Sequence, residues 1–563
     1  MNKKWQICET DKEKVDELKS KYNISELLAT ILVNKNITTQ KEINEFLNPT
    51  RNDFFDPFLM NDMDIAIKRI KKAIENQEKV IIYGDYDVDG ITSVTVLKSF
   101  LEERGIQVNV YIPNRLNEGY GLNKTAMEEI AKQGNKLMIT VDCGITAVDE
   151  VEYAKTFGIE TIITDHHEPA EELPKAIAVV DAKRKDNKYP FRELAGVGVA
   201  FKVSQALAQS MNIREEEYLK YLDIVCVGTI SDIVPLVSEN RVITKLGLKL
   251  VKQTRNMGLR AIINSSGYSQ INSTTISFGV APRINACGRM GKAEQALKLL
   301  LSKDIYEVNK LTQELNSYNR ERQEIEKEIF ENVLTKIEQN NLAKNRTIVV
   351  GGENWHHGVI GIVSSKITEK YFKPSILLSF EEDGTGKGSG RSIPGFDLHE
   401  ALMKCENCLE KFGGHSMAVG LTIKKENLEQ FYKEFEKIAE ENETENIIPI
   451  INVDAKIELD KIDKSVVEDL KQLEPFGEAN KTPTFALKNI RIDSIRALSE
   501  GKHLKLTLRE NNQIINAIGF NIGELAEAYK IGDKIDIAGV LEINTFNGID
   551  NLQINIKDIM KSI

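Results

Sequence analysis

The sequence predicts an α/β protein with two α/β domains and a small C-terminal β-barrel. Short apolar runs alternate with helical stretches between residues 79 and 240, and a second such series starts near residue 346. Five strand-like runs then follow within the last hundred residues or so. Strands that alternate with helices are typical of a mostly parallel sheet, whereas closely spaced short strands are typical of a barrel.

The composition fits several globular domains in one chain. A length of 563 residues exceeds that of a single domain, and 41% hydrophobic with 28% charged residues is ordinary for a globular protein. No apolar run approaches the ~20 residues that span a bilayer, and six cysteines make no disulfide framework, so we expect a cytoplasmic protein without a membrane partner. The net charge of −11 argues against general affinity for duplex DNA and restricts any polyanion to a local groove.

The N-terminal two thirds divide into three predicted parts. Residues 1–75 are expected to form short helices, and residues 76–240 a sheet domain with strands at KVIIYG, QVNVYIP, KLMITVDCG, IETIITDHH and AIAVVDAKR. Residues 241–345 are expected to be helical and to end in a long polar helix, roughly 304–341. We interpret that helix as a solvated connector between domains.

The remaining chain divides into two predicted domains. Residues 346–445 are expected to form the second α/β domain, which begins at RTIVVGG. Residues 446–563 are expected to form a five-stranded barrel of the oligonucleotide-binding type, with a hairpin turn at Asn547-Gly548. Phe520 and Phe546 in this segment could stack on bases, although packing in the barrel core explains them equally well.

Three aspartates, Asp85, Asp87 and Asp89, follow the first strand in IIYGDYDVDG. Like charges this close raise one another's pKa, and a single acid would suffice to cap the following helix. The pattern matches the start of an EF-hand loop, but Val96 occupies the position of the bidentate Glu, which excludes a calcium loop. Binding of a multivalent metal is the best reason to tolerate the repulsion.

Further acids and imidazoles follow other strands of the same predicted sheet. Asp142 follows MITV, the Asp165-His166-His167 run follows TIIT, and Asp232 ends VGTIS. Because ligands bind outside the carboxyl ends of parallel strands, we expect these side chains at one edge of the sheet. Carboxylates with one or two imidazoles favour Mn²⁺ or Mg²⁺ over a closed zinc site, and there are enough ligands for two ions that share a carboxylate.

Three arginines are candidates for phosphate contacts, because the planar guanidinium binds phosphate through two hydrogen bonds. They are Arg115 in IPNR, Arg289 in CGRM and Arg391 in GSGRS. Glycine flanks Arg289 and Arg391 and would let backbone N–H groups approach an anion. The stretch GTGKGSGRS is not a Walker A loop, because Gly388 follows Lys387 where Ser or Thr is required.

The pair Cys405 and Cys408 has the spacing of half a zinc site. No second C-x-x-C occurs in the chain, and the stretch ALMKCENCLEKF is typical of a helix. Both observations argue against structural zinc.

Taken in order, DYDVDG, VDCG, DHH and SDIVPL resemble the motifs of the DHH phosphoesterase superfamily. Within it, NEGYGL, APRINACGRM, WHHGVIGIVSSK, GSGRS and FGGHSMAVG resemble the RecJ family of single-stranded-DNA-specific 5′→3′ exonucleases. The resemblance covers nearly the whole chain, and many motifs occur in one order. In LEPFGEAN and the residue after it the chain departs from the family, with Ala479 and Lys481 where the family usually has Gly and Pro.

The resemblance implies two metal ions that share Asp142. The first ion would be held by Asp85, Asp87 and Asp142. The second ion would be held by Asp89, Asp142, His166 and Asp232. His167 would lie beside the scissile phosphate and assist its charge or its proton transfer, so that His167 and Asp142 are the predicted catalytic residues.

The resemblance also implies how the substrate is held. The predicted substrate-binding residues are Arg115, Arg283, Arg289, His357, Ser389, Arg391 and His415. Ser389 and Arg391 would hold the 5′-terminal phosphate. His357 and His415 would line the cleft opposite the metals.

The implied function is 5′→3′ hydrolysis of single-stranded DNA by two ions of Mn²⁺ or Mg²⁺, in DNA repair and recombination. The implied partners are single-stranded DNA, a single-stranded-DNA-binding protein and a RecQ-type helicase, with the enzyme a monomer. An alternative within the superfamily is an oligonucleotide or cyclic-dinucleotide phosphodiesterase or a pyrophosphatase, although such relatives look shorter and lack the terminal barrel. A third alternative is a non-catalytic DNA-binding scaffold, against which the complete set of carboxylates argues.

Overall fold

The computed structural model describes residues 3–546 and 549–562. Contacts divide the chain into two compact units. The terminal unit consists of the residues up to Phe54, Pro235–Lys245 and the residues from Ile448 onwards. The central unit consists of Phe55–Val234 and Leu246–Ile447.

The start of the terminal unit contains one strand and three helices. They are β1 (Lys4–Ile7), α1 (Lys12–Tyr22), α2 (Glu26–Asn34) and α3 (Gln40–Leu47). Each helix begins where a side chain, of Asp11, Ser25 or Thr39, accepts a hydrogen bond from the backbone of the first turn. The sequence prediction of short helices did not include β1, which pairs in parallel with Ile450–Val453.

A five-stranded parallel sheet forms the first part of the central unit. Its elements are α4 (Met63–Glu75), β2 (Val80–Gly84), α5 (Val88–Glu102), β3 (Val108–Tyr111), α6 (Lys124–Lys132), β4 (Leu137–Val141), α7 (Val148–Thr156), β5 (Glu160–Asp165) and β6 (Ala178–Asp181). The strand order is β3-β2-β4-β5-β6, and every neighbouring pair is parallel. Strands β2 and β4 are buried along their whole length, and their sequences are accordingly continuous apolar runs. The predicted mostly parallel sheet is confirmed.

A series of helices follows the sheet. They are α8 (Gly196–Ser210), α9 (Glu216–Leu219), α10 (Leu222–Ser231), α11 (Ser238–Val251), α12 (Met257–Ser265), a π-helical stretch (Thr275–Val280), α13 (Ala281–Arg289), α14 (Ala293–Leu301) and α15 (Ile305–Gln339). Helices α8 and α10 pack against α5, the helix that follows the aspartate-rich turn. Both are buried over nearly all of their length, which fixes the turns at their ends.

The long connecting helix, α15, has a buried side. Apolar residues of this side, such as Leu315 and Val333, are buried, and the helix contacts α12, α13 and α14. The interpretation of α15 as a purely solvated connector is therefore wrong, because its apolar residues recur at helical spacing among the charged ones and form a packing stripe.

A second sheet completes the central unit. Its elements are β7 (Ile348–Glu353), α16 (His357–Tyr371), β8 (Ser375–Phe380), β9 (Thr385–Arg391), α17 (Leu398–Lys404), β10 (Leu409–His415), β11 (Ala418–Lys424) and α18 (Leu428–Glu441). The strand order is β10-β11-β9-β8-β7, with β7 and β8 parallel and the other pairs antiparallel. The stretch GTGKGSGRS lies mainly in β9, which agrees with the exclusion of a Walker A loop.

The C-x-x-C pair lies just beyond α17 and not within it. Cys405 and Cys408 are both buried in the apolar core of the second sheet, and the Cys408 thiol donates a hydrogen bond to Glu434 Oε2 at 3.5 Å. In the part of the chain that the structure describes, neither cysteine belongs to a group of side chains that could hold a metal.

The rest of the terminal unit is a closed barrel. Its elements are β12 (Ile450–Val453), β13 (Ala455–Lys456), α19 (Lys464–Leu470), β14 (Phe485–Leu498), β15 (His503–Glu510), β16 (Gln513–Gly519), α20 (Leu525–Ala528), β17 (Lys534–Phe546) and β18 (Ile549–Lys561). Pairing of β14 with both β15 and β17, and of β18 with both β16 and β17, closes five strands into a ring. This confirms the predicted oligonucleotide-binding barrel, while the predicted turn at Asn547-Gly548 and the side chain of Phe546 lie outside what the structure describes.

Candidate metal centre and the neighbouring arginines

Acidic residues lie at the carboxyl ends of three adjacent strands of the parallel sheet. Asp85 and Asp142 follow β2 and β4, and Asp165 is the last residue of β5. Gly84 pairs with Val141, and Val141 with Thr164, so the three strands end in register. The parallel register therefore places the three carboxylates at one edge of the sheet.

The other two aspartates of the first motif lie at helix starts. Asp87 is the N-cap of α5 and accepts a hydrogen bond from the Gly90 amide at 3.1 Å. Asp89 accepts hydrogen bonds from the amides of Gly196 and Val197, at 2.6 and 2.8 Å, at the start of α8. Asp87 therefore caps the N-terminus of α5, and Asp89 caps that of α8. The positive end of each helix dipole attracts the negative charge of its carboxylate.

Ligand atoms of these acids and of the two histidines converge into three overlapping groups. In each group the atoms lie within 4.8 Å of one another. The groups are Asp85, Asp87 and Asp142; Asp89, His166 and Asp232; and Asp142, Asp165, His166 and His167. Asp142 belongs to two groups, and its Oδ1 lies 3.0 Å from His166 Nε2. The geometry therefore permits two adjacent ions with Asp142 between them.

The backbone at Asp142 is adapted to this position. Asp142 adopts a left-handed conformation with φ 60, which aspartate tolerates better than most residues. A Cβ on Gly196 would lie 2.7 Å from Cβ of Asp142, so only glycine fits opposite it at the start of α8. The strand end and the helix start approach each other closely enough to enclose the carboxylate.

Without cations the centre is electrostatically unfavourable. Burial, and next the charge of Asp87, raises the pKa of Asp85 well above its ordinary range, and burial together with Asp89 does the same for Asp142. Burial and then the charge of Asp87 raise the pKa of Asp89 to about 7. Divalent cations would remove this cost, because their charge favours the ionised carboxylates.

Several buried ligand atoms also lack hydrogen-bond partners. Asp85 Oδ1 and both ring nitrogens of His166 are buried without a hydrogen bond of acceptable geometry in the part of the chain described. Burial, and next the charge of His167, lowers the pKa of His166 to about 3, so this imidazole is neutral and available as a ligand. Carboxylate oxygens with one neutral imidazole fit Mn²⁺ or Mg²⁺.

His167 differs from His166 in both exposure and charge. Its side chain is 45% exposed, whereas that of His166 is 6% exposed. Burial lowers the pKa of His167, but the hydrogen bond between its Nδ1 and Asp165 Oδ1, at 2.7 Å, outweighs this and the pKa rises to about 9. The Tyr120 hydroxyl lies 3.3 Å from the same nitrogen. In the metal-free protein His167 is therefore more accessible and more readily protonated than His166.

Asp165 belongs to this cluster of acids and histidines, although the predicted site did not include it. It accepts hydrogen bonds from the backbone amides of Ile145, His166 and His167, at 2.9, 2.7 and 3.2 Å, in addition to the imidazole. These bonds fix both histidines relative to the strand end. In the sequence, the only indication that Asp165 belongs with the site was its position directly before the two histidines in TDHH.

Arginines lie next to the centre. The Arg115 guanidinium lies 5.1 Å from the ring centre of Tyr86, which stands between two of the aspartates. Arg289 donates a hydrogen bond from Nη1 to the Gly358 carbonyl at 2.8 Å, and Arg391 donates from Nη1 to Ser389 Oγ at 3.0 Å. Burial, and then the positive charges of Arg115, Arg322 and Arg391, lower the pKa of Arg289 to about 10. We call Arg115, Arg289, Arg322 and Arg391 the arginine cluster; its mutual repulsion would be relieved by an anion.

Arg322 was not predicted. It lies on α15, where its guanidinium bonds Glu326 and donates to Asn319 Oδ1 at 2.7 Å. The chain segment was predicted to have no role beyond connecting domains, because a long charged helix gives no sign of which charge faces a site.

Gly361 on α16 allows the close approach of the serine and arginine on β9. A Cβ at Gly361 would lie 3.0 Å from Ser389 Oγ and 3.1 Å from Arg391 Nη2. The start of α16 therefore faces these two side chains, and the positive end of its helix dipole favours an anion there.

Three predicted substrate-binding residues form no hydrogen bond or ion pair with the metal centre or the arginine cluster among the described residues. Arg283 donates to Asn316 Oδ1 at 2.7 Å and to the carbonyls of Gly279 and Ser265. His357 Nε2 lies 3.2 Å from Glu381 Oε1. His415 is exposed at the end of β10. Their roles stay predictions.

The neighbouring histidine, His356, was overlooked. It is the N-cap of α16 and accepts from the Gly358 amide at 3.1 Å. Burial, and next the charge of His357, lowers the pKa of His356. The charge of Arg115 lowers it slightly further, so His356 lies near the arginine cluster. Sequence alone does not distinguish the two histidines of WHHG.

The barrel exposes Phe520, one of the two aromatic residues predicted to stack on bases. Phe520 is 50% exposed and makes an edge contact with His503, with ring centres 5.3 Å apart. Stacking on a base is therefore sterically open to Phe520. Among the described residues, the helices include none that is long and apolar enough to cross a membrane.

Three family models match the chain. They are the DHH family, N-terminal domain, over residues 79–229, the DHHA1 domain over 344–441 and the RecJ OB domain over 453–558. The single-stranded-DNA-specific exonuclease RecJ of Bacillus subtilis (strain 168) is 40% identical over 560 residues, which cover 99% of this chain and 70% of that protein. Its counterpart from Dickeya dadantii (strain 3937) is 30% identical over 558 residues, 95% of this chain and 96% of that protein.

Solved structures show the same similarity. The crystal structure of RecJ in complex with Mn²⁺ from Thermus thermophilus matches with a TM-score of 0.86 and 28% identity, over 100% of this chain and 80% of that one. The Mg²⁺ complex from the same organism matches with a TM-score of 0.80 and 26% identity, over 100% of this chain and 79% of that one.

Proposed function

The chain belongs to the RecJ family of single-stranded-DNA-specific exonucleases, and from this we propose which of its residues bind the metals, the substrate and the proton. It is a metal-dependent exonuclease that acts on single-stranded DNA and uses divalent cations, Mn²⁺ or Mg²⁺. A role in DNA repair and recombination agrees with this family.

We propose that two ions bind at the overlapping ligand groups. One ion is held by Asp85, Asp87 and Asp142. The other is held by Asp89, Asp142, His166 and Asp232. The observation that supports this proposal is that Asp142 lies within ligand distance of Asp85 and Asp87 on one side and of His166 on the other. Such a pair supplies Lewis acidity for activation of water and for the charge on the leaving 3′ oxygen.

His167 serves the scissile phosphate from the edge of the centre. Its protonated ring, held by Asp165, offers a charge-assisted hydrogen bond to a phosphate oxygen or a proton to the leaving group. His166 cannot replace it in this role, because it is buried and neutral.

The arginine cluster gives a reason for 5′→3′ polarity. We assign the 5′-terminal phosphate to Arg391, Ser389 and the first turn of α16, with Arg289 and Arg115 between this site and the metals. A terminal phosphate carries more charge than an internal one, and several buried guanidinium groups favour it. The barrel would hold the trailing strand through Phe520 and neighbouring cations.

Partner proteins and location remain proposals from the family resemblance. A single-stranded-DNA-binding protein and a RecQ-type helicase would supply the substrate strand, and the enzyme would act in the cytoplasm as a monomer. Copurification of either partner with the full chain, compared with DNA-free controls, tests this.

Digestion of a single strand labelled at either end tests the assignment. Products should appear first from the 5′ end, faster with a 5′ phosphate, and only with Mn²⁺ or Mg²⁺. Asp142→Asn should abolish hydrolysis while the barrel still binds DNA, and Asp64→Asn, an exposed acid on α4, should be unaffected. Wild-type turnover by Asp142→Asn would refute the two-metal proposal, and preferential cleavage of dinucleotides over long strands would favour the phosphodiesterase alternative.

A further inference from the structure

Ile233, the residue after the metal ligand Asp232, has an unfavourable backbone conformation. Its φ is 62, in the left-handed region where a branched Cβ collides with the backbone. More than half of the non-glycine residues with positive φ in the described chain are Asn or Asp, and Ile233 is the only β-branched one among them. A sequence under no functional constraint would place Gly or Asn here.

The side chain of Ile233 gains little from packing in return. It is 71% exposed, whereas Ile230, one turn earlier on α10, is buried at 7%. A single exposed isoleucine is ordinary on a protein surface. An exposed isoleucine in a strained conformation is not, since neither the backbone nor the side chain stabilises the free protein.

Ile233 also lies at the rim of the metal centre. Asp232 Oδ2 is 3.7 Å from His166 Nδ1, and consecutive Cα atoms are only about 3.8 Å apart. A nucleotide with its phosphate at the metals would have its sugar and base within reach of this side chain. An isoleucine offers such a base a rigid apolar surface, because its branched Cβ restricts χ1.

We propose that Ile233 contacts the substrate directly, by packing against the nucleobase of a nucleotide next to the scissile phosphate. The contact is apolar and makes no hydrogen bond, so it holds any of the four bases and contributes no sequence preference. Backbone strain of this kind persists at functional sites when the surrounding structure maintains it. The inference rests on the proposed metal centre, which brings the phosphate to this edge.

Strands that lack one base test the contact. An abasic nucleotide is placed in turn at positions 1, 2 and 3 from the 5′ end, and kcat/KM is measured in Mn²⁺. In the wild type, kcat/KM should fall about tenfold at one position beside the scissile bond, the loss expected for one apolar contact. In Ile233→Gly, kcat/KM on the intact strand should fall by a similar factor, and the abasic strand should cause less than about a twofold further loss.

Matched variants separate this role from a structural one. Ile233→Asn keeps the backbone conformation without the apolar contact and should behave as Ile233→Gly does, while Ile233→Val should retain most of the abasic penalty. Both Gly and Asn variants should melt at or above the wild-type temperature, because strain is relieved. Ile305→Asn, at an exposed isoleucine that starts α15, is the control and should leave kcat/KM unchanged.

Two results would overturn the inference. If the abasic nucleotide lowers kcat/KM of Ile233→Gly by the same factor as in the wild type, the base is held by another residue. Loss of the Mn²⁺-induced rise in melting temperature in Ile233→Gly would show that the residue positions Asp232 instead of touching DNA. Failure of the proposed function looks different, because the wild type itself would then show no metal-dependent hydrolysis.

Discussion

The metal centre should lower the stability of the metal-free protein, and Asp89→Asn tests this. The Asp89 carboxylate accepts hydrogen bonds from the amides of Gly196 and Val197, which favour the ionised form. Burial and the charge of Asp87 outweigh them and raise its pKa from 3.8 to about 7. The shift of about 3 units, 7 − 3.8, corresponds to about 4 kcal/mol at 1.36 kcal/mol per unit.

The sign of the effect follows from linkage. A carboxyl group whose pKa is raised on folding binds its proton more tightly in the folded state, so its contribution to stability is present below pH 4 or so and is lost as the pH rises through about 7. At pH 8 the metal-free wild type has lost this contribution. Asparagine cannot ionise and keeps one carbonyl oxygen for the helix amides, although losing the second charge-assisted bond costs about 1.5–3 kcal/mol. The net gain for Asp89→Asn at pH 8 is about 1–2 kcal/mol.

Thermal melts in a chelator and in Mn²⁺ measure the effect. In chelator at pH 8 the variant should melt a few degrees above the wild type, and at pH 5 the difference should vanish or reverse. Saturating Mn²⁺ should raise the melting temperature of the wild type strongly. It should raise that of the variant much less, because the variant lacks the Asp89 carboxylate as a metal ligand. Asp64→Asn, which removes an acid far from the ligands, is the matched control and should leave the Mn²⁺-induced rise in melting temperature unchanged. A variant that melts below the wild type in chelator at both pH values would refute this account.

Three further predictions concern Asp165, Gly361 and Ala479. Asp165→Asn removes the partner that keeps the pKa of His167 at about 9, so kcat should fall roughly tenfold at pH 8 and less at pH 6, as a pH–rate profile will show. Gly361→Ala should reduce the preference for a 5′-phosphorylated over a 5′-hydroxyl strand several-fold, because its Cβ would lie 3.0 Å from Ser389 Oγ, while the Mn²⁺-induced melting shift stays unchanged. Ala479→Gly should stabilise the terminal unit by about 1 kcal/mol in a denaturant titration, because Ala479 adopts φ 56, and activity on short strands should not change.

The sequence predicted that these acids and histidines meet at one edge of the sheet, because their positions follow from local rules. Each ligand group lies directly after an apolar run, and the carboxyl ends of parallel strands share one edge. The departure at Ala479 was also visible, and the structure gives its consequence, a left-handed alanine where the family usually has Gly.

What the sequence did not predict depends on contacts between distant segments. Strand β1 has four residues and forms only because Ile450–Val453 lies beside it. Arg322 is one of many charges on α15, and only the packing of that helix selects it for the arginine cluster. His356 and His357 are adjacent in sequence, so only the direction of each side chain in the folded protein shows which one lies near the arginine cluster. Propensity and periodicity carry no information on these points.

The same features that make the centre reactive make it locally unstable. Asp142 and Ile233 adopt left-handed conformations, and burial and the charge of Asp87 raise the pKa values of Asp85 and Asp89. All four lie at the ends of strands or helices whose own residues are almost completely buried. A rigid apolar sheet can hold such residues in place because moving them would disturb its packing. Cations and a nucleotide then act on groups that are already in position, which is the condition for electrostatic stabilisation of a transition state without reorganisation.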